Sequence, residues 1–251
     1  MAVEALGEKV RVQLLDTVDS SNAEALRRAG AGETGPLWIV ARAQTAGRGR
    51  RGRPWVSVAG NLHATLLLTD PSPAAAAPQL GFVAGLALYE AAAAAAPALA
   101  SGLALKWPND LLCRGRKIGG ILVEGEGNPI AVAIGIGVNC RHHPLDAEYP
   151  ATDFAANGAA VAPDTLLDRL ASEMRKWLTH WSRSTGFAAI RAAWLARAGG
   201  LGEPLRVRLA GRETSGFFES IDEDGRLMLR HSDGSLEAIA VGEVFPVTQI
   251  A

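Results

Sequence analysis

Short apolar runs separated by glycine, proline and charged residues predict alternating strands and a helix in the first third of the chain. A first strand is predicted over residues 10–15, followed by a helix over residues 23–28 that is capped by Ser20 or Ser21. Two further runs are mostly apolar and of strand length, so they predict buried strands: residues 38–43 and 61–68.

The middle of the chain predicts one long buried helix and several strands. From residue 78 to residue 96 the sequence is apolar nearly all round, with Pro78 in the predicted first turn. Alternating glycines in the later strands leave room for another backbone or for a ligand. The predicted strands are residues 111–113, 117–124 and 129–139, of which the first two form a hairpin, and residues 103–106 lead into the segment before them.

After a predicted loop over residues 140–163, Asp164 predicts the cap of a helix that runs to Trp181, and a shorter helix follows over residues 187–197. Their tryptophans, Trp177, Trp181 and Trp194, are expected in the core.

A change of composition at residues 199–203 marks a boundary between domains 1–200 and 201–251. Beyond it, Asp-Gly turns join short runs of strand character, which is a strong hairpin signal. Four or five short strands of this kind predict a small barrel. They include residues 205–209, 216–221, 226–230 and 236–241.

Charge and cysteine usage limit the possible functions. With 25 basic and 26 acidic residues the net charge is −1, which argues against a general binder of polyanions. Two cysteines and five histidines give neither a disulfide framework nor zinc-type spacing. No signal peptide and no membrane-spanning run are recognisable. A reduced, cytoplasmic protein is the expectation.

The most unusual stretch is the basic loop, residues 44–55, with the sequence Q-T-A-G-R-G-R-R-G-R-P-W. Its three glycines free the backbone to close on an anion, and its four arginines supply positive charge. We expect a mobile loop that becomes rigid when a small anion binds, because it has no apolar face to offset its ordering entropy. A solvated basic turn and an Arg/Gly RNA-binding patch are the alternatives that these residues leave open.

Five motifs occur together: S-S-N at residues 20–22, the basic loop, K-W-P-N-D at 106–110, R-K-I-G-G-I-L-V-E at 116–124 and G-I-G-V-N at 135–139. In this order they resemble the biotin-protein ligases, of the monofunctional type without an N-terminal DNA-binding domain. The resemblance implies an α+β fold: a class II synthetase-like catalytic domain with a mixed β-sheet flanked by helices, then a small SH3-like β-barrel.

The resemblance also implies a reaction and its participants. Biotin and ATP are the substrates, Mg²⁺ is expected with unknown ligands, and biotinyl-5′-AMP is the intermediate. Biotin then passes to one lysine of a biotin carboxyl carrier protein domain of a biotin-dependent carboxylase. Neither DNA nor a membrane is an expected partner, and the protein is expected to be a monomer or a weak homodimer.

Site residues are implied motif by motif. Biotin is expected at Ser20, Ser21, Asn22, Gln44, Gly47, Arg48, Lys117, Gly119 and Gly120. The nucleotide is expected at Arg48, Arg50, Arg51, Trp55, Asn109, Lys117 and Asn139. Two positions depart from many relatives: Ser21 stands in place of threonine, and Pro54 stands where some relatives have lysine.

The predicted catalytic residues are Lys117, Arg48 and Asp110. Joining a carboxylate to the α-phosphate brings two anions together, so fixed cations such as Arg48 and Lys117 should lower the barrier. Lys117 suits a point charge at the reacting phosphorus, and Arg48 suits bidentate phosphate contact. In the second step Asp110 is expected to hold the ammonium of the carrier lysine and to help remove its proton, with Asn109 as a positioning donor.

Three rival functions remain. A lipoate or octanoyl ligase or transferase would share the fold, but the complete basic loop and K-W-P-N-D weigh against it. A biotin-responsive repressor needs a DNA-binding domain, and only nine residues precede the first predicted strand. An RNA-binding module needs stacking aromatics near the arginines, and only Trp55 is close to them in sequence.

Overall fold

The computed structural model describes residues 11–247 and contains two β-sheets. The first sheet has seven strands in the order β1-β2-β3-β7-β6-β5-β4. β1 and β2 are parallel and every other neighbouring pair is antiparallel, so the sheet is mixed as predicted. Its strands are β1 (Arg11–Val18), β2 (Leu37–Gln44), β3 (Leu62–Thr69), β4 (Leu103–Lys106), β5 (Asp110–Cys113), β6 (Arg116–Glu126) and β7 (Ala131–Val138).

Four α-helices cover the two faces of this sheet: α1 (Ser21–Gly30), α2 (Leu80–Ala95), α3 (Pro163–Trp181) and α4 (Phe187–Leu195). α2 packs against the sheet on one side and against α3 and α4 on the other, which explains why it is apolar all round. Trp181 and Trp194 are buried in this main core, whereas Trp177 is half-buried at its edge. α1 covers the opposite face through a smaller apolar cluster around Ala25, Ile39 and Leu67.

The second sheet is antiparallel, with five strands in the order β11-β10-β9-β8-β12. They are β8 (Pro204–Arg208), β9 (Glu213–Ile221), β10 (Leu227–Arg230), β11 (Leu236–Ile239) and β12 (Glu243–Pro246). This sheet contacts the segment between β4 and β5, because Trp107 Nε1 donates to Gly225 O at 3.0 Å. A side chain at Gly225 would also meet the Phe82 ring at 2.7 Å, so the two surfaces lie in close contact.

Three predicted boundaries need correction. β1 continues to Val18 because it pairs with β2 along its whole length, and residue 10 lies outside the described residues. α2 begins at Leu80, and Pro78 lies in a preceding 3₁₀ helix, Ala74–Gln79, because the alanines before it already follow a helical path. Asp164 does not cap α3: Ala162 occupies the cap and Pro163 the first helical position, where its missing N–H costs nothing.

The hairpin between β5 and β6 confirms the prediction. Its two turn residues, Arg114 and Gly115, have φ values of 51° and 73°, and positive φ at both central positions fits the twist of the flanking strands. The hairpin brings Asp110, at the start of β5, alongside β6. In this way the K-W-P-N-D and R-K-I-G-G motifs become neighbours.

Candidate active site

A cavity of about 610 Å³ opens between the first sheet and the second sheet. Its walls come from the β1–α1 turn, the basic loop, the corner between β4 and β5, the strands β6 and β7, the loop around Tyr149, and residues 242–245 of the second sheet. Thirteen of the fifteen predicted site residues line it: Ser20, Ser21, Asn22, Gln44, Arg48, Arg50, Arg51, Trp55, Asn109, Asp110, Lys117, Gly120 and Asn139. Residues that are far apart in sequence therefore share one site.

One end of the cavity is a buried network of neutral polar groups. Ser20 caps α1, since its hydroxyl accepts from the Ala23 amide at 3.4 Å. The next amide, Ser21 N–H, donates to Gln44 Oε1 at 2.7 Å. Gln44 Nε2 in turn donates to Ser57 Oγ at 2.8 Å. These contacts fix the S-S-N turn and the side chain of Gln44.

Thr65 and Asn22 extend this network toward a carboxylate. The Thr65 hydroxyl lies 2.8 Å from both Ser21 Oγ and Asn22 Oδ1. Because an amide oxygen only accepts, Thr65 donates to Asn22 and the Ser21 hydroxyl donates to Thr65. Asn22 Nδ2 donates to Glu124 Oε2 at 2.8 Å, so the polar network ends at an acidic residue.

Glu124 also pairs with the first arginine of the basic loop. Arg48 Nη2 lies 3.1 and 3.3 Å from the two carboxylate oxygens of Glu124. About a third of each side chain is exposed, so the pair contributes no more than about 1 kcal/mol. A carboxylate of the protein itself thus contacts the guanidinium that we expect to contact phosphate.

The other end of the cavity holds two lysines around one buried aspartate. Asp110 Oδ1 lies 2.6 Å from Lys117 Nζ, and Asp110 Oδ2 lies 3.5 Å from Lys106 Nζ. Burial opposes ionisation of Asp110, but the two ammonium groups outweigh it and hold the pKa of the carboxyl below its usual value. Burial also lowers the pKa of Lys106, which the Asp110 charge counteracts. The ring of Tyr149 covers this lysine, with its centroid 4.1 Å from Nζ.

Trp55 lies across the floor of the cavity, where its indole packs on the backbone of two glycines, Gly137 and Gly120. A Cβ on Gly137 would stand 2.5 Å from the Trp55 indole, and one on Gly120 would stand 3.2 Å from it. Gly135 makes the same kind of space for Asn22, whose Oδ1 is 2.3 Å from the position of its missing Cβ. The alternating glycines were predicted to make room, and part of that room holds side chains of the chain itself.

Comparison with known proteins identifies the family. Residues 19–140 match the Biotin/lipoate A/B protein ligase family, and residues 200–245 match the Biotin protein ligase C terminal domain. Over 241 residues the chain is 46% identical to a biotin–[acetyl-CoA-carboxylase] ligase of Paracoccus denitrificans, covering 92% of this chain and 99% of the relative. The chain belongs to the biotin protein ligase family.

Two further relatives agree with this assignment. A biotin–[acetyl-CoA-carboxylase] ligase of Mycobacterium tuberculosis is 33% identical over 234 residues, covering 90% of this chain and 85% of the relative. The solved structure of a biotin protein ligase from Aquifex aeolicus in complex with biotin and ATP superposes with a TM-score of 0.78 at 25% identity, covering 94% of this chain and 97% of the other. The predicted family and fold class are thereby confirmed.

Two of the predicted site residues, Gly119 and Gly47, do not line the cavity. Gly119 faces the core, because a Cβ there would meet Leu88 at 3.1 Å, and the alternation of β6 turns only Gly120 toward the cavity. Gly47 stands behind the wall, where a Cβ would lie 2.4 Å from Ser57 Oγ. Its lack of a side chain leaves space for the hydrogen bond between Gln44 and Ser57.

The basic loop also differs from the expectation in its backbone and its charges. Of its three glycines only Gly52 has positive φ, at 70°, and Arg51 adopts the left-handed conformation with φ 58°. Acidic residues already neutralise part of the loop, since Arg53 Nη2 lies 2.7 Å from Glu243 of the second sheet and 3.2 Å from Glu148. Arg50 is desolvated, and burial lowers its pKa.

Sequence reasoning missed several residues that the fold brings to the site: Glu124, Lys106, Glu243, Tyr149 and His63. Lys106 and Glu124 lie inside motifs, so their positions carried a signal. The other three come from segments without a motif, and only the fold places them at the cavity.

Among residues 11–247, no cluster of three or more His, Cys, Asp or Glu side chains could hold a metal ion by itself. Mg²⁺ is commonly bound by one or two carboxylates together with substrate phosphates, so a preformed cage is not required. Asp110 is the buried carboxylate of the cavity, but it already pairs with the ammonium groups of Lys106 and Lys117, so we assign no metal ligand. In the same described part of the chain, no helix is long and apolar enough to cross a membrane.

Proposed function

We propose that this chain activates biotin with ATP to biotinyl-5′-AMP and transfers biotin to one lysine of a biotin carboxyl carrier protein domain. The observation that carries the proposal is the polarity of the cavity. Neutral buried polar groups line one end, Arg48 stands next to them on Glu124, and Arg50 and Lys117 lie farther on beside Asn109 and Asp110. A neutral ring system that ends in a carboxylate matches this gradient. The nucleotide then meets the cationic end.

The first half-reaction joins two anions, so the cationic end is where its barrier can be lowered. Lys117, held by Asp110, supplies a fixed charge next to the reacting groups. Arg48 must release the carboxylate of Glu124 before its guanidinium can bind phosphate, so one anion replaces another. Mg²⁺ would neutralise part of the phosphate charge. We assign Asn139, which lines the cavity and whose Nδ2 donates to Thr152 O at 3.0 Å, to the nucleotide side.

For the second half-reaction we assign Asp110 as the group that holds the incoming carrier lysine. A carboxyl whose pKa is lowered is a weak base, so positioning the ammonium suits it better than strong proton abstraction. Asn109 lies beside it and is fixed by donating to Ile121 O at 2.7 Å. Residues 1–200 form the catalytic domain in this proposal and residues 201–251 form a domain that closes the cavity with Glu243. The protein would work in the cytoplasm as a monomer or weak homodimer without DNA.

The test is calorimetry with biotin, followed by ATP and Mg²⁺, and then a transfer assay with a biotin carboxyl carrier protein domain. We expect biotin binding that tightens into a slowly released complex with ATP, and labelling of one carrier lysine. Lys117→Ala should abolish most adenylate formation, whereas the control Lys176→Ala, on the exposed face of α3, should behave as the parent protein. Absence of biotin binding by the parent protein would refute the proposed function.

A further inference from the structure

Lys106 lies in the cavity wall beside Asp110, and neither half-reaction proposed above uses it. Its side chain is 14% exposed, and its Nζ lies 3.5 Å from Asp110 Oδ2. The Tyr149 ring stands over this Nζ, with its centroid at 4.1 Å. Tyr149 is itself held in place, because its hydroxyl donates to Gly115 O at 3.3 Å and its ring lies beside Phe245 of the second sheet. Lys106 is therefore a fixed cation whose charged partner is Asp110.

A second cation on Asp110 is more than its neutralisation requires. Lys117 Nζ lies 2.6 Å from Asp110 Oδ1, so one ammonium group already balances the carboxylate. Two ammonium groups on one carboxylate leave an excess of one positive charge, and uncompensated charge is costly in a poorly solvated site. Burial lowers the pKa of Lys106, which reflects this cost. The presence of the second lysine therefore calls for a reason beyond the stability of the free protein.

The substrates supply that reason, because they draw Lys117 away from Asp110. In the proposed first half-reaction the ammonium of Lys117 meets the carboxylate of biotin and the α-phosphate. The space for this contact exists because Gly120 has no side chain, whose Cβ would stand 3.3 Å from Lys117 Nζ. The side chain of Lys117 is also 25% exposed, against 14% for Lys106. Lys106 is thus the cation that stays with Asp110 when the adenylate is bound.

The ionisation of Asp110 depends on the cations that face it. Burial acts to raise the pKa of its carboxyl, but Lys117 and Lys106 outweigh burial and lower it. Among the described residues, the other charged or titratable groups that face this pair are Arg50, Glu243 and Tyr149. With Lys117 turned to the phosphate and no charge at position 106, burial and the phosphate anion would favour the protonated carboxyl. A protonated carboxyl cannot neutralise the ammonium of a carrier lysine.

We propose that Lys106 is a positioning residue for the transfer step, in which it keeps Asp110 ionised and fixed for the carrier lysine while Lys117 is engaged with the adenylate. The inference rests on the proposed function and deepens it. It assigns the two lysines to different half-reactions. Lys117 acts on the anions of the substrates, and Lys106 acts through Asp110 on the amine that attacks the adenylate.

Single-turnover transfer from the preformed adenylate complex to the carrier domain, between about pH 6 and pH 8.5, tests this assignment. Lys106→Met keeps the length of the side chain and removes its charge, so transfer should be slowed roughly 10-fold or more at pH 7. The ratio of parent to variant rates should grow as the pH falls, by up to about tenfold per pH unit, because one additional proton must leave Asp110. Adenylate formation, followed by pyrophosphate release, should change far less.

Two matched variants complete the test. Lys106→Arg retains the charge and should recover most of the transfer rate. Lys176→Met removes a lysine from the exposed face of α3 and should keep the parental pH profile. Carbon NMR of ¹³C-labelled aspartate carboxyls in the parent protein needs no substitution at position 106. In the adenylate complex the Asp110 carboxyl should remain ionised at about pH 6.

Four results would overturn the inference. A rate ratio that stays constant with pH would show that Lys106 acts through packing. Equal slowing of both half-reactions would indicate that Lys106 contacts phosphate directly. Transfer by Lys106→Met at the parental rate, or a protonated Asp110 in the parent adenylate complex, would exclude the role altogether. Absence of adenylate formation by the parent protein would instead refute the proposed function.

Discussion

Replacement of Asp110 by asparagine should destabilise the free protein, because it leaves two lysines without their shared counterion. Lys106 and Lys117 have side chains that are 14% and 25% exposed, and Asp110 is the carboxylate that both contact. Removing one partner of a buried ion pair costs about 3–5 kcal/mol. Since both lysines keep some solvent, we expect the lower end of this range, about 3 kcal/mol.

This loss should be visible as a shift of the unfolding temperature. In a chain of this length 1 kcal/mol corresponds to roughly 2–4 °C, so about 3 kcal/mol predicts a decrease of roughly 6–12 °C. Denaturant unfolding measures the free energy of unfolding itself. An m-value equal to that of the parent protein would show that both proteins expose the same surface on unfolding, so that their free energies can be compared. A deficit below about 1 kcal/mol at pH 7 would contradict the reasoning.

The pH dependence gives an independent check of the cause. Burial lowers the pKa of Lys106 in the folded protein, and the charge of Asp110 offsets part of this effect. In Asp110→Asn the folded pKa should fall further below the unfolded value near 10.4. Between these two pKa values the unfolded state binds more protons, so the stability of the variant should rise with pH.

The deficit of Asp110→Asn relative to the parent should therefore narrow between pH 7 and pH 9.5. The double variant Asp110→Asn with Lys106→Met should recover part of the stability at pH 7, because it removes one of the two uncompensated charges. Stability differences that stay constant with pH, and no recovery in the double variant, would show that Asp110 acts through its shape and not through its charge.

Three further predictions concern single positions. Lys117→Arg should slow pyrophosphate release in a presteady-state assay by roughly 10²-fold or more while biotin affinity changes little, because a guanidinium cannot occupy the same point; an unchanged rate would exclude the role. Gly137→Ala should displace the Trp55 indole that lies on it and lower the free energy of unfolding by about 1–3 kcal/mol, measured by thermal unfolding. The control is Gly81→Ala in α2, where the added methyl group would lie 3.7 Å from its nearest neighbour, so this variant should be neutral or stabilising. Glu124→Gln should free Arg48 for the ligand and slow adenylate release by up to roughly fivefold, measured by chase with unlabelled biotin and ATP; faster release would mean that Glu124 helps to hold the ligand.

Local patterns in the sequence were sufficient for the elements and for most of the site. Strand length, glycine spacing and Asp-Gly turns depend on neighbouring residues, so they predicted most of the strands, the buried helix α2 and the hairpins of the second sheet, whereas the mixed sheet was implied by the family resemblance. The motifs carried the residue types that the chemistry needs. For this reason Arg48, Asp110 and Lys117 could be predicted as site residues from the family resemblance, and the fold brings all three to one cavity.

Contacts between distant segments were decided only by the tertiary structure. No spacing rule shows that Glu124 would pair with Arg48, 76 positions away, or that Glu243 of the second domain would reach Arg53, 190 positions away. The direction of a side chain is also a tertiary property: Gly119 and Gly120 are adjacent in one motif, yet they face the core and the cavity respectively. His63 gave no signal at all, because a histidine in an apolar strand becomes informative only when its ring nitrogens are matched with partners in space.

The sequence by itself thus determined which elements form and which chemical groups are present, since both depend on local patterns. The packing of distant elements determined which groups neutralise one another and which remain free for a ligand, since charge pairing and burial depend on distances in space.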